Sequence, residues 1–137
     1  MQIMEAKIAH LQMIQAIITR LAQNSFMIKG WTVTLVAALF ALGAADANGL
    51  FVFLAYFPAF MFWALDAYFI RQERLFRKLY EHVSGQQDGS ADFSMATAPL
   101  QQKVAGIWST ARSTTLLLFH GTITATIVVV MVVIRFN

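Results

Sequence analysis

The chain contains no cysteine, and that absence removes disulfides, thiolate nucleophiles and Cys-rich zinc or iron–sulfur sites together. It also leaves the redox compartment unreadable. Charge is scarce: Asp, Glu, Lys and Arg make up 12% of the 137 residues, against roughly 25% in ordinary soluble domains. Signatures of catalysis are missing too. There is no GxxxxGK phosphate loop, no HExxH and no GxSxG, and the three histidines, His10, His82 and His120, stand far apart. No second His or carboxylate lies at ligand spacing to His120. The residues therefore point away from an enzyme, a metal centre or a bound cofactor.

What the chain has in abundance is apolar surface, with 58% hydrophobic residues and a mean hydropathy of +0.62. A soluble fold of this length could not cover so much of it. One membrane domain, residues 1–137, is expected. The sequence pI of about 9.6 would suggest nucleic acid in a soluble protein, but the formal excess is only +3. Retention of basic residues on the cytoplasmic face of a membrane accounts for it, and no direct nucleic-acid binding is expected. Nine of the ten bases, Lys7, Arg20, Lys29, Arg71, Arg74, Arg77, Lys78, Lys103 and Arg112, fall where one membrane orientation places them on a single side; only Arg135 does not.

From residue 3 to about 25, Met4, Ile8, Leu11, Ile14, Ile18 and Leu21 recur at helical spacing, with Glu5, Gln12, Gln15, Thr19 and Gln23 between them. That is an amphipathic helix. Its polar face is mostly uncharged, which favours packing on another helix over lying on a lipid surface. Asn24 and Ser25 are candidates to cap a second helix, with an unbroken helix as the alternative. The first span covers about 26–45, with Lys29 snorkelling to the interface. Its run Trp31 to Ala44, followed by Ala45-Asp46-Ala47, matches a small-residue cleavage pattern, but the long lead to Lys29 makes it an uncleaved span. Ala37, Ala38, Ala41, Gly43 and Ala44 give that span a small-residue face suited to close helix packing.

Asp46-Ala47-Asn48-Gly49 has the chemistry of a tight turn, so the second span, about 50–70, runs back antiparallel to the first. It carries nine aromatics, and Pro58 predicts a kink around Leu54 to Pro58. No breaker separates it from a stalk over 71–83, about 20 Å long, with Leu75, Phe76, Leu79, Tyr80 and Val83 on one face. The N-terminal helix is the nearest cover for that stripe. A linker follows over 84–98, including Asp88, Gly89 and Asp92. Pro99 then opens an amphipathic helix over 99–112, with Trp108 and Arg112 at headgroup level. Ser113 to Ile134 contains 22 residues without formal charge and is the third span, about 113–134. The fold class is thus an all-α integral membrane protein with three transmembrane helices and cytoplasmic amphipathic helices. The N-terminus is expected in the cytoplasm and the C-terminus outside.

Asp66 is the sharpest polar feature, since a carboxylate within a span is costly and faces protein or water. It lies about 7 Å along the axis from Arg71, and Lys29 on the antiparallel neighbour lies at similar depth. A structural Lys29–Asp66 pair is the leading reading, with an ion pathway as the alternative. Thr115, Thr122, Thr126, Val129 and Val133 form one stripe of the third span, with His120 and Thr124 on a nearby face. Repeated around an oligomer axis, either face can line a wet conduit; the alternative is interhelical packing, with each Thr bonding the carbonyl one turn back. Arg71, Arg74, Arg77, Lys78, Lys103 and Arg112 make a basic cytoplasmic collar, either a topology determinant or a site for an anionic lipid or nucleotide.

Residues 1–83 resemble SLATT-type membrane effectors, small bacterial two-span proteins found with nucleotide-synthesising partners in anti-phage defence. The resemblance is architectural. It lies in the amphipathic N-terminal helix, the hairpin from Phe26-Met27-Ile28-Lys29-Gly30-Trp31 to Ala45, the arm ending Trp63-Ala64-Leu65-Asp66-Ala67-Tyr68, and the stalk Arg71 to Tyr80. It implies oligomeric pore formation that depolarises an infected cell, and this chain adds a third span to the plan. The leading expectation is a homo-oligomeric effector or ion channel of the bacterial inner membrane, answering a cytoplasmic protein or nucleotide signal. A non-conducting anchor or assembly factor that recruits a soluble partner is the runner-up. A phage holin-like pore is third: many holins have three spans, but common ones place the N-terminus outside and end in a basic cytoplasmic tail, the reverse of what this chain predicts with its end Arg135-Phe136-Asn137.

Overall fold

The computed structural model describes residues 1–46, 48–87 and 92–137. Among these the chain is helical, with no strand, and three helical stretches are long and apolar enough to cross a membrane. Helix α1 runs unbroken over Gln2–Asp46, about 67 Å at 1.5 Å per residue. The amphipathic segment and the first span are therefore one rod. Ser25 does not cap a new helix there; its hydroxyl points sideways to a carboxylate.

The turn that reverses the chain is as short as its residues predict, although Ala47 lies outside the described residues. Asn48 caps α2 (Gly49–Leu54), its side chain accepting from the Leu50 N–H at 3.0 Å. Beside it Gly43 is buried against the second arm: a Cβ there would stand 3.1 Å from Val52 Cγ2. Gly43 thus sets how closely the two arms approach. α2 gives way at Ala55 to α3 (Tyr56–Ser84), and the Ala55 N–H bonds back only three residues, to Val52. This is the kink that Pro58 predicts, because proline cannot donate to the Leu54 carbonyl. α3 then continues without a break through the stalk.

The N-terminal part of α1 packs along the stalk of α3. Ile14 and Ile18 of α1 pack with Leu75, Leu79 and Val83 of α3 and with Leu100 in a buried cluster. Leu75, Leu79, Val83 and, in part, Phe76 of the stalk stripe are thus covered within the chain, whereas Tyr80 stays exposed. Lys7 Nζ donates to the Gln86 carbonyl at 2.6 Å, closing the top of this head. His10, on the polar face by periodicity, is fully buried with its ring edge-on to Phe93; the returning segment folds over it. Of the linker, residues 88–91, with Asp88 and Gly89, lie outside the described residues, and 92–97 carry no regular structure.

The expected single helix over 99–112 does not form. Instead a 3-10 turn spans Ala98–Lys103 with Pro99 in its first turn, Val104 is extended, and Gly106 starts the five-residue α4 (Ile107–Ala111). Arg71 explains the difference. Its guanidinium donates to the Ala105 carbonyl at 3.1 Å and, more weakly, to that of Gln101 at 3.5 Å, taking backbone acceptors that a continuous helix would have used. The third span is α5 (Thr114–Phe136). Its Ile127 packs with Val36, Val52, Ala55 and Ala59 in a second cluster where the three spans meet.

Candidate functional site

All three spans converge on Asp66, which is fully buried. From α1, Ser25 donates its hydroxyl to Oδ1. One turn on, Lys29 Nζ donates to Oδ2 at 2.6 Å and to Ser25 Oγ at 2.9 Å. The spacing of four residues puts both side chains on one face of the helix. From α5, His120 Nε2 lies 2.7 Å from Oδ2. An ionised carboxylate can only accept, so in that contact Nε2 carries the hydrogen and donates.

Apolar and aromatic groups seal this cluster. Trp63, one turn before Asp66, stacks on the His120 ring at 5.8 Å and 11°. Phe119 meets the same ring edge-on at 5.0 Å and lies 5.9 Å from Lys29 Nζ. Only Lys29 reaches outward, with 19% of its side chain exposed. His120 Nδ1 is buried with no hydrogen-bond partner among the described residues. Ser25 stands beside a lysine, its proton goes to a carboxylate and it is only 4% exposed. Among the described residues no group of three or more His, Cys, Asp or Glu is placed to hold a metal.

Of the residues singled out in the sequence, Lys29 and Asp66 are brought together as the depth argument predicts. His120 joins them, although no carboxylate stands near it in sequence. Ser25 was not foreseen in this role. The threonines lie elsewhere: Thr115, Thr122 and Thr126 are exposed on the outer side of α5. Thr122 and Thr126 donate to the carbonyls of Leu118 and Thr122, and the half-buried Thr124 donates to that of His120. Their hydroxyls are thus satisfied within the helix.

The basic collar is largely consumed by internal partners. Arg71 holds backbone carbonyls, Arg74 Nη1 lies 3.4 Å from Thr110 Oγ1, Arg77 pairs with Glu73 at 2.7 Å and Lys78 with Glu81 at 2.9 Å. Lys103 and Arg112 remain exposed. The collar is therefore a set of separate contacts rather than one open cationic ring.

Compared with protein-family models, curated proteins and solved structures, the chain matches none of them.

Proposed function

We propose that this chain is a bacterial inner-membrane protein acting as a homo-oligomeric effector or ion channel, with its head in the cytoplasm and its C-terminus outside. The observation that carries the reading is mechanical continuity. α1 and α3 each run from the packed head into the apolar stretch without a break, and Asp66 ties both to α5. A displacement of the head by a cytoplasmic protein or nucleotide signal is thereby delivered to all three spans. The SLATT resemblance supports the same reading for residues 1–83.

Three spans enclose no water path of their own, so conduction takes several copies, with the Thr115, Thr122 and Thr126 side of α5 turned toward the axis. Catalysis has no part in this proposal. The test combines topology, copy number and flux. Because the chain has no native cysteine, Lys103→Cys and Asn137→Cys report the two faces cleanly, and they are expected to label on opposite sides of the membrane. Light scattering in mild detergent is expected to give an oligomer, and liposomes an ion flux. A monomer that passes no ions would overturn the channel.

A second reading, the non-conducting anchor that recruits a soluble partner, is favoured by the back-bonded threonines, which leave few hydroxyl protons for water. It predicts an oligomer or monomer without flux that still captures a cytoplasmic partner. The holin-like reading predicts the reversed labelling pattern.

A further inference from the structure

We infer that the groove between α3 and α4 is a binding site for an anionic phospholipid of the headgroup layer, its phosphate on Arg112 and one acyl chain along Phe60, Trp63 and Ala64. The groove encloses about 610 Å³ and is lined by these four residues with Trp108 and Ala111. It exists because α4 is pinned to α3 at points around it rather than packed along its length. Trp63 Nε1 donates to the Ala111 carbonyl at 2.9 Å, and Arg74 reaches Thr110. Between these ties Ala64 and Ala111 are too small to fill the gap. Phe60 and Trp63 stack nearly parallel, 10° apart with centroids at 6.5 Å, and form one flat wall. Trp108, 79% exposed, forms the other.

The ends of the groove differ in polarity, as the two ends of a lipid do. At one end Phe60 is half exposed, about 9 Å deeper along α3 than Asp66. At the other stands Arg112, the residue that ends α4. Its neighbours Thr110 and Ala111 are reached by Arg74 from the cytoplasmic side and by Trp63 from the bilayer side. This places Arg112 between those two levels, where phosphates lie, and a tryptophan beside it suits that interface. Its guanidinium is exposed and makes no hydrogen bond or ion pair among the described residues, unlike Arg71, Arg74, Arg77 and Lys78. Among the described residues no acid lines the groove. Either phospholipid can offer its phosphate to this bidentate donor, but the cation of a zwitterionic headgroup offsets that charge beside Arg112, so a headgroup with net negative charge is favoured.

The inference needs only membrane placement, not conduction, so failure of the channel leaves it standing. The test uses the full chain with Trp31→Phe in vesicles of phosphatidylcholine doped with brominated lipid, where the remaining indoles, Trp63 and Trp108, line the groove. Brominated phosphatidylglycerol is expected to reach half-maximal quenching at about fivefold lower mole fraction than brominated phosphatidylcholine, the factor for one basic residue near a lipid surface. Arg112→Gln should bring that ratio to about one, Lys103→Gln should leave it, and Ala64→Phe should shield Trp63 from both lipids. Equal quenching by both lipids in the parent chain, a preference that survives Arg112→Gln, or an equal loss with Lys103→Gln would each overturn the site. Absence of quenching by either lipid would overturn it together with the membrane placement.

Discussion

Removing one partner of the Lys29–Asp66 pair should destabilise the protein far more than removing both. Asp66→Leu leaves the Lys29 ammonium with Ser25 alone and leaves His120 Nε2–H without an acceptor. Breaking a buried pair in this way costs about 3–5 kcal/mol, and the lower end applies because Lys29 retains an outlet to the interface. Lys29→Met instead strands a carboxylate in a bilayer segment with only the Ser25 and His120 donors, at about 3 kcal/mol by the cost of a charged group at such depth. In the double variant both charges are gone. Ser25 can then bond the Leu21 carbonyl one turn back, and the unpaired His120 N–H costs about 1–2 kcal/mol. The single losses sum to about 6 kcal/mol against about 2 for the double, a coupling of roughly 4 kcal/mol. Reversible unfolding in mixed detergent and dodecyl sulfate micelles, followed by tryptophan fluorescence because Trp63 stacks on His120, measures all three variants. Additivity of the two substitutions to within about 1 kcal/mol, or a single loss below that size, would refute the pairing assigned to this cluster.

Leu79→Glu drives a carboxylate into the head core beside Ile14, Leu75 and Val83 and should open the head at a cost of about 3 kcal/mol or more. Limited proteolysis near Gln86 then rises while the spans stay protected, and a head as resistant as the parent's would contradict the packing described. Gly43→Ala places a Cβ 3.1 Å from Val52 Cγ2 and is expected to lower the unfolding midpoint by the equivalent of about 1–3 kcal/mol. Gly30→Ala, with no atom within 4 Å of its built Cβ, serves as the matched control, and equal midpoints for the two would show that the hairpin is not limited at Gly43.

Much of this architecture was legible because it depends on properties local to a few turns of chain. Apolar length marks the three spans, Pro58 marks the break at Ala55, and a short turn at Asn48 fixes Lys29 and Asp66 at one depth. What the sequence could not give is rotation about a helix axis. In water the apolar stripe of a helix points to the core, but between lipid tails that contrast vanishes. α5 carries polar groups on two faces, the Thr115, Thr122 and Thr126 stripe and the His120 and Thr124 side, so nothing in its hydropathy says which face meets α3. Depth alone was countable: His120 is seven residues past Ser113, about 10 Å along the helix, which is within a side chain's reach of Asp66. The segment 99–112 departs from a single helix for a related reason, since the carbonyls that Arg71 holds belong to a partner thirty or more residues away.

Polar side chains therefore carry the orientational information that apolar ones lose in a bilayer. Ser25 and Lys29 set the face of α1, Asp66 that of α3 and His120 that of α5, because any other rotation buries at least one of these groups without a partner. The apolar cluster around Ile127 and Val52 adds close packing but sets no such requirement, since turning it leaves no polar group without a partner. This asymmetry makes the cluster an effective latch for the proposed effector. As long as Asp66 holds both helices the three spans move as a unit, and a signal that rotates the head by a fraction of a turn must either carry α5 with it or separate His120 from Asp66.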